Sequence, residues 1–131
     1  DRFVLGAERA HFILYVADQE RSTRFYTMVL ESEPELDVPG MTEFTVGTRA
    51  VLGLMPIEAI RRLLPLLPDP DSAAAPRAEL YLVVADPVVA HQRALEAGAR
   101  ELSPVMERDW GHVVGYSLDP DGHVIAFARR G

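Results

Sequence analysis

The chain has no cysteine among its 131 residues, so neither a disulfide framework nor thiol chemistry is open to it. It also lacks an excess of positive charge. Twenty acidic residues against 13 basic ones give a formal net charge of −7, and no basic stripe interrupts that balance. Such a surface repels polyanions and argues against a nucleic-acid partner. No apolar run approaches the roughly 20 residues of a membrane-spanning helix. No signal-peptide pattern opens the chain, which begins at Asp1 rather than Met, as a chain trimmed at its N-terminus would. A cytoplasmic protein without membrane association is the expectation. What is present is ordinary for a globular domain: 48% hydrophobic and 25% charged residues, in a length suited to one domain or two small halves sharing a core.

The pattern is written twice. Residues 10–17, AHFILYVA, form a strand-like run closed by Asp18, whose carboxylate can accept orphan backbone N–H groups and cap a helix over about residues 20–31. Phe25, Met28 and Val29 give that helix an apolar stripe. Beyond Pro39-Gly40, short strands are predicted around 42–46 and 50–55, turning at Gly47. In the second half ELYLVVA (79–85) is closed by Asp86, Pro87 takes the first helical position, and a helix to about Ala97 ends at Gly98. Ala90, Ala94 and Ala97 make a small-residue seam with His91 beside it, and further strands follow around 112–118 and 123–128. His11 precedes Asp18 by the same seven residues that separate Glu79 from Asp86, and AVLGLM (50–55) resembles HVIAFA (123–128). A duplicated βαβββ unit accounts for this economy. The halves are expected at about 8–55 and 77–129, joined over 56–76 by a short amphipathic helix and a Pro-rich connector, all within one domain spanning 1–131. The acidic residues at 31, 33, 35 and 37 read as a solvated loop.

Strand period two then sorts the faces. Phe12, Leu14 and Val16, with Leu80, Leu82 and Val84, form the aliphatic face expected beneath the helices. His11, Ile13 and Tyr15, with Glu79, Tyr81 and Val83, form the other face, which carries a titratable residue at the matching place in each copy. The closing strands add Val51, Gly53 and Met55, and Val124, Ala126 and Ala128, to this second face. His91 reads as structural, Arg61-Arg62 as an exposed decoration of the connecting helix, and His123 as pointing away from the shared cavity.

Two stretches carry a resemblance: HFILYVADQERSTRFY (11–26) and RDWGHVVGYSLDPDGHVIAF (108–127). Both, in this order and with the internal repeat, resemble the vicinal oxygen chelate superfamily of glyoxalases, bleomycin-resistance proteins and dioxygenases. The resemblance implies an α+β fold in which two βαβββ modules curl mixed sheets around a cavity, within a homodimer. It also implies, in metal-using members, one ligand from each opening strand and a carboxylate from the closing strands. His11 matches the first ligand, and Glu79 stands where a His is usual. Gly53 and Ala126 stand where Glu would be expected.

That loss directs the functional expectation. With only His11 and Glu79 left as candidate metal ligands or catalytic groups, no metal cofactor is expected. The expected function is binding of a small planar or aromatic molecule by Tyr15, Tyr81 and Trp110, in room left by Gly53 and Ala126. The alternatives are a metal-dependent glyoxalase-type lyase or isomerase or a dioxygenase, and metal-free acid–base catalysis by His11 and Glu79.

Overall fold

The computed structural model describes residues 8–70, 76 and 78–131. The connector over 71–75, and residue 77 where the second module is expected to begin, lie outside the described residues. Each half builds one four-stranded mixed sheet. The first contains β1 (Ala10–Val16), β2 (Leu36–Val38), β3 (Met41–Gly47) and β4 (Ala50–Pro56), in the order β1-β4-β3-β2, with β1 parallel to β4. The second contains β5 (Glu79–Val83), β6 (Arg100–Glu107), β7 (His112–Leu118) and β8 (Val124–Arg130), in the order β5-β8-β7-β6, with β5 parallel to β8. The parallel pair in each sheet needs a crossover. Helices α1 (Gln19–Leu30) and α3 (Pro87–Glu96) supply it, while α2 (Ile57–Leu63) follows β4.

Both crossover helices start as the repeat anticipates. Asp18 accepts from the Arg21 amide at 3.0 Å and Asp86 from the Val89 amide at 3.2 Å, with Pro87 in the first turn. Ser22, Phe25, Tyr26 and Val29 are the buried residues of α1. Met28, expected in that stripe, is exposed, because it lies a quarter-turn beyond the row set by 22, 25, 26 and 29. One core runs through both halves: Val16, Phe25, Tyr26, Phe44, Leu52 and Leu54 of the first meet Ala90, Ala94, Ile125 and Phe127 of the second. The alanine seam of α3 is what lets that helix approach closely. His91, structural as expected, is buried, bonds Glu101 through Nε2 at 2.8 Å, and lies over Gly115. A Cβ at Gly115 would stand 2.8 Å from His91 Nδ1 and 2.6 Å from Val105 Cγ2, so the glycine is required by close approach.

Two strands were not legible in advance. β2 has only three residues and sits in the acidic stretch expected to be a solvated loop. Asp37 there accepts from the Thr42 hydroxyl at 3.2 Å, Glu35 accepts from Thr45, and Glu31 pairs with Arg93 at 3.2 Å. β6 carries Pro104 in its middle, which reads as a loop. As an edge strand with two register shifts it tolerates the missing N–H.

The DPDG turn (119–122) between β7 and β8 does more than reverse the chain. Asp121 accepts from the Ala17 amide (2.9 Å), the Arg21 guanidinium (3.1 Å) and the Ser22 hydroxyl (3.1 Å), all of the first half. Buried Asp119 accepts from the Tyr26 hydroxyl (2.6 Å), from the Asp121 amide (2.9 Å), and from His123 through its amide (2.8 Å) and Nδ1 (2.9 Å). Burial pushes the Asp119 carboxyl up, but the His123 and Tyr26 bonds outweigh it and hold it below 3.8. Burial pushes His123 down, and the hydrogen bond and charge of Asp119 reverse this and raise it above 6.5. Burial, and then Asp119, raise the Tyr26 hydroxyl well above 10.

These directions fix a stability profile. A raised histidine stabilises fully below its unfolded value of 6.5 and loses the contribution as pH climbs through the folded value. A depressed carboxylate stabilises above 3.8 and loses the contribution as pH falls through the folded value. The pair therefore contributes most between those unfolded values. Urea unfolding of His123→Asn should show a loss of about 1–3 kcal/mol near pH 5.5 that shrinks steadily towards pH 9. A loss independent of pH would contradict the assignment.

Candidate functional site

On the first sheet the face away from the helices carries His11, Ile13 and Tyr15 of β1. Gly53 of β4 lies between Ile13 and Glu43 of β3 in the register. Glu43 is the residue that sequence reasoning missed. Its carboxylate lies 3.6 Å from His11 Nδ1, both partly exposed. Counting from the Gly47 turn does not find it: Gly47 pairs with Ala50, which extrapolates to Phe44 opposite Gly53, and only the register shift between Thr45 and Gly47 brings Glu43 there. Gly53 leaves less room than expected. A Cβ there would meet Ile13 Cγ1 at 3.1 Å and Met41 Sδ at 3.2 Å, so neighbouring side chains have closed over the glycine.

The second sheet answers why Ala126 is small. Ala126 and Ala128 are fully buried, together with Val114, and Tyr81 and Tyr116 pack against them. With only methyl groups beneath it, the Tyr81 ring reaches two strands across, to His112 at the start of β7. The Tyr81 hydroxyl lies 2.7 Å from His112 Nδ1, and the ring centroids are 6.0 Å apart. Trp110, half-exposed in the β6–β7 turn where Gly111 supplies positive φ (88°), donates its indole N–H to the same hydroxyl at 3.1 Å. Arg108 caps Tyr116 with its guanidinium 5.2 Å from the ring centroid, held there by bonds to the Val114 and Pro104 carbonyls and the Ser103 hydroxyl. Burial, then the charge of Glu79, raise the Tyr116 hydroxyl above 10. Tyr81 and Trp110 thus share a cluster with His112, and Ala126 lies buried beneath Tyr81 and Tyr116.

The structure does not bring His11 and Glu79 into an ion pair; His11 pairs with Glu43. Between the free edges of β1 and β5 lies a cavity of about 1020 Å³, bounded by Phe12, Ile13, Leu80, Val83 and Val89 and reached by Glu79 and Tyr81. His11, Tyr15, Gly53, Trp110 and Ala126 are not part of its wall. His123, expected to point away from the cavity, lies at one end of this one while bonded to Asp119.

The donor set does not fit a divalent ion held by one ligand from each opening strand. His11 has one carboxylate beside it, and the positions of Gly53 and Ala126 are closed by Ile13, Met41, Tyr81 and Tyr116. Among the described residues one group of three ligating side chains converges, Asp119, Asp121 and His123. Its carboxylates are already spent on donors from both halves.

Two modules of identical topology, each turning a polar and aromatic face away from its crossover helix, define a class rather than a reaction. The chain belongs to the Glyoxalase/Bleomycin resistance protein/Dioxygenase superfamily, whose family model matches residues 9–127. It is similar in fold to a glyoxalase-related enzyme from Fulvimarina pelagi (TM-score 0.80, 23% identity, covering 92% of this chain and 86% of that one). A glyoxalase/bleomycin resistance protein/dioxygenase family enzyme from Burkholderia phytofirmans PsJN is similar at TM-score 0.83 and 17% identity, covering 95% of this chain and 100% of that one. A glyoxalase/bleomycin resistance protein/dioxygenase from Nocardioides gives a TM-score of 0.77 at 21% identity, covering 97% and 85%. No curated protein matches significantly. At these identities the likeness is one of fold.

The floor under Tyr81 can be tested directly. Ala126→Leu places three further carbons beneath two tyrosines, an overpacking that costs about 1–3 kcal/mol and lifts Tyr81 off His112. Trp110 is the sole tryptophan, so its emission should shift to the red as it loses its partner. Ala126→Gly should leave the emission unchanged. Equal spectra for Ala126→Leu and the parent would show that Tyr81 does not rest on Ala126.

Proposed function

We propose that this chain binds a small planar or aromatic molecule in a cavity completed by a second copy of itself, without a catalytic metal. The observation that carries the proposal is the cluster of Trp110, Tyr81 and His112, an aromatic surface with hydrogen-bonding groups at its rim. The closing of Ile13 and Met41 over Gly53, and of the tyrosines over Ala126, argues for packing rather than ligation at the places where the superfamily resemblance would put carboxylates. Pairing with a second copy is supported by the exposure of Phe12 (56%) and Val83 (57%) on the free-edged strands β1 and β5. No helix of the described residues is long and apolar enough to cross a membrane, which fits a small-molecule partner better than a bilayer. One observation favours the second reading, a metal-dependent glyoxalase-type lyase or isomerase or a dioxygenase: His11 and Glu43 stand as a partly exposed couple that could supply two ligands or an acid–base pair.

The readings part over metal and mass. Protein purified without added metal should hold far less than one equivalent of zinc, nickel, manganese or iron, and chelator should leave its melting temperature unchanged. Sedimentation at micromolar concentration should give twice the chain mass. Stoichiometric metal, with a melting temperature that falls on chelation, would establish the enzyme reading instead.

A further inference from the structure

The hydrogen bonds around Tyr81 have a direction. An indole N–H can only donate, so the Tyr81 oxygen accepts from Trp110. The phenolic proton is then free to be donated, and the acceptor within reach is His112 Nδ1, 2.7 Å away. In that arrangement, the one the proposal below takes and the ¹⁵N measurement tests, Nδ1 accepts and the neutral imidazole carries its proton on Nε2. That Nε2–H has no protein partner among the described residues and is not buried. The relay from indole to phenol to imidazole thus ends in one oriented donor beside the half-exposed Trp110 ring. Arg130 stands opposite His112 in the β7–β8 register, so it emerges on the same face. Glu79, the carboxylate of this face, is opposite Val124, six residues and about 20 Å along β8 from Arg130. Along the strands the face is therefore polarised, His112 and Arg130 at the Trp110 end and Glu79 at the other, with the exposed Asp109 carboxylate in the turn before Trp110.

Resting on the aromatic-ligand reading above, we infer that this end of the second sheet recognises a planar aromatic carboxylate. Its ring lies on Trp110, and its carboxylate accepts from His112 Nε2–H beside Arg130. Tyr81 is a positioning residue, which fixes the tautomer and orientation of His112 without touching the ligand's acid group.

Calorimetric titration of the full chain at pH 8 with 2-naphthoate and its neutral isostere 2-naphthamide tests this. The acid should bind about tenfold more tightly, as charge-assisted hydrogen bonds exceed neutral ones. His112→Phe should bring the two within about threefold, while His112→Gln, which retains an N–H donor, should keep part of the preference. Imidazole ¹⁵N shifts should report His112 as the Nε2–H tautomer in the parent and as a mixture in Tyr81→Phe. Equal binding of acid and amide by the parent would overturn the carboxylate inference and leave the aromatic-ligand reading standing. Binding of neither at millimolar concentration would overturn both.

Discussion

Everything else in this molecule hangs on two aspartates in a four-residue turn. Asp119 and Asp121 lie at the far end of the chain from the residues they hold, and between them they accept from Ala17, Arg21, Ser22 and Tyr26 of the first half. A βαβββ unit of about 50 residues buries too little surface to stand alone. Each half here instead lends its helix to a common core, and the turn pins the start of one helix to the end of the other sheet. Placing the Asp121 carboxylate at the first turn of α1 also suits the partial positive charge of a helix N-terminus. Burying Asp119 would be costly by itself. Four donors, one of them the His123 ring whose protonation the same carboxylate favours, offset that cost.

The clamp decides what the sheets can present. The helices cover Val16, Leu52, Leu54, Ile125 and Phe127, whereas Phe12, expected beneath them, is exposed at the free edge of β1 and with Leu80 borders the cavity. On the opposite faces the side chains settle according to what lies beneath them. On the second sheet methyl groups let Tyr81 stretch across to His112 and Trp110. On the first, glycine is covered by Ile13 and Met41, and the charged groups meet as His11 and Glu43. Around Gly53 and Ala126 the two sheets thus differ: packing covers the one, and an aromatic cluster the other.

Local signals carried most of the fold. The duplicated Asp caps, the Pro at the start of α3, the glycine turns and the period-two strands were legible because each is determined within a few residues. The interior strands were placed, and the short β2 and the proline-bearing edge strand β6 were not, since pairing rather than propensity makes them strands. For the candidate site the sequence offered single residues and not their partners. His11, Tyr81 and Trp110 could be singled out, but Glu43 joins His11 only through the β3–β4 register, and His112 joins Tyr81 only because Ala126 and Ala128 are small. The DPDG stretch announced a turn, while the use of its carboxylates about a hundred residues away in sequence left no local trace.

The most direct test of the clamp is native-state hydrogen exchange read at two places, the α1 and β4 amides of the first half and the β8 amides of the second. If one core spans both halves, the slowest amides of each should open with the same free energy, and Asp121→Ala should lower both by the same amount. Two distinct opening free energies in the parent, with only the first half responding to Asp121→Ala, would contradict a shared core and leave two modules merely side by side.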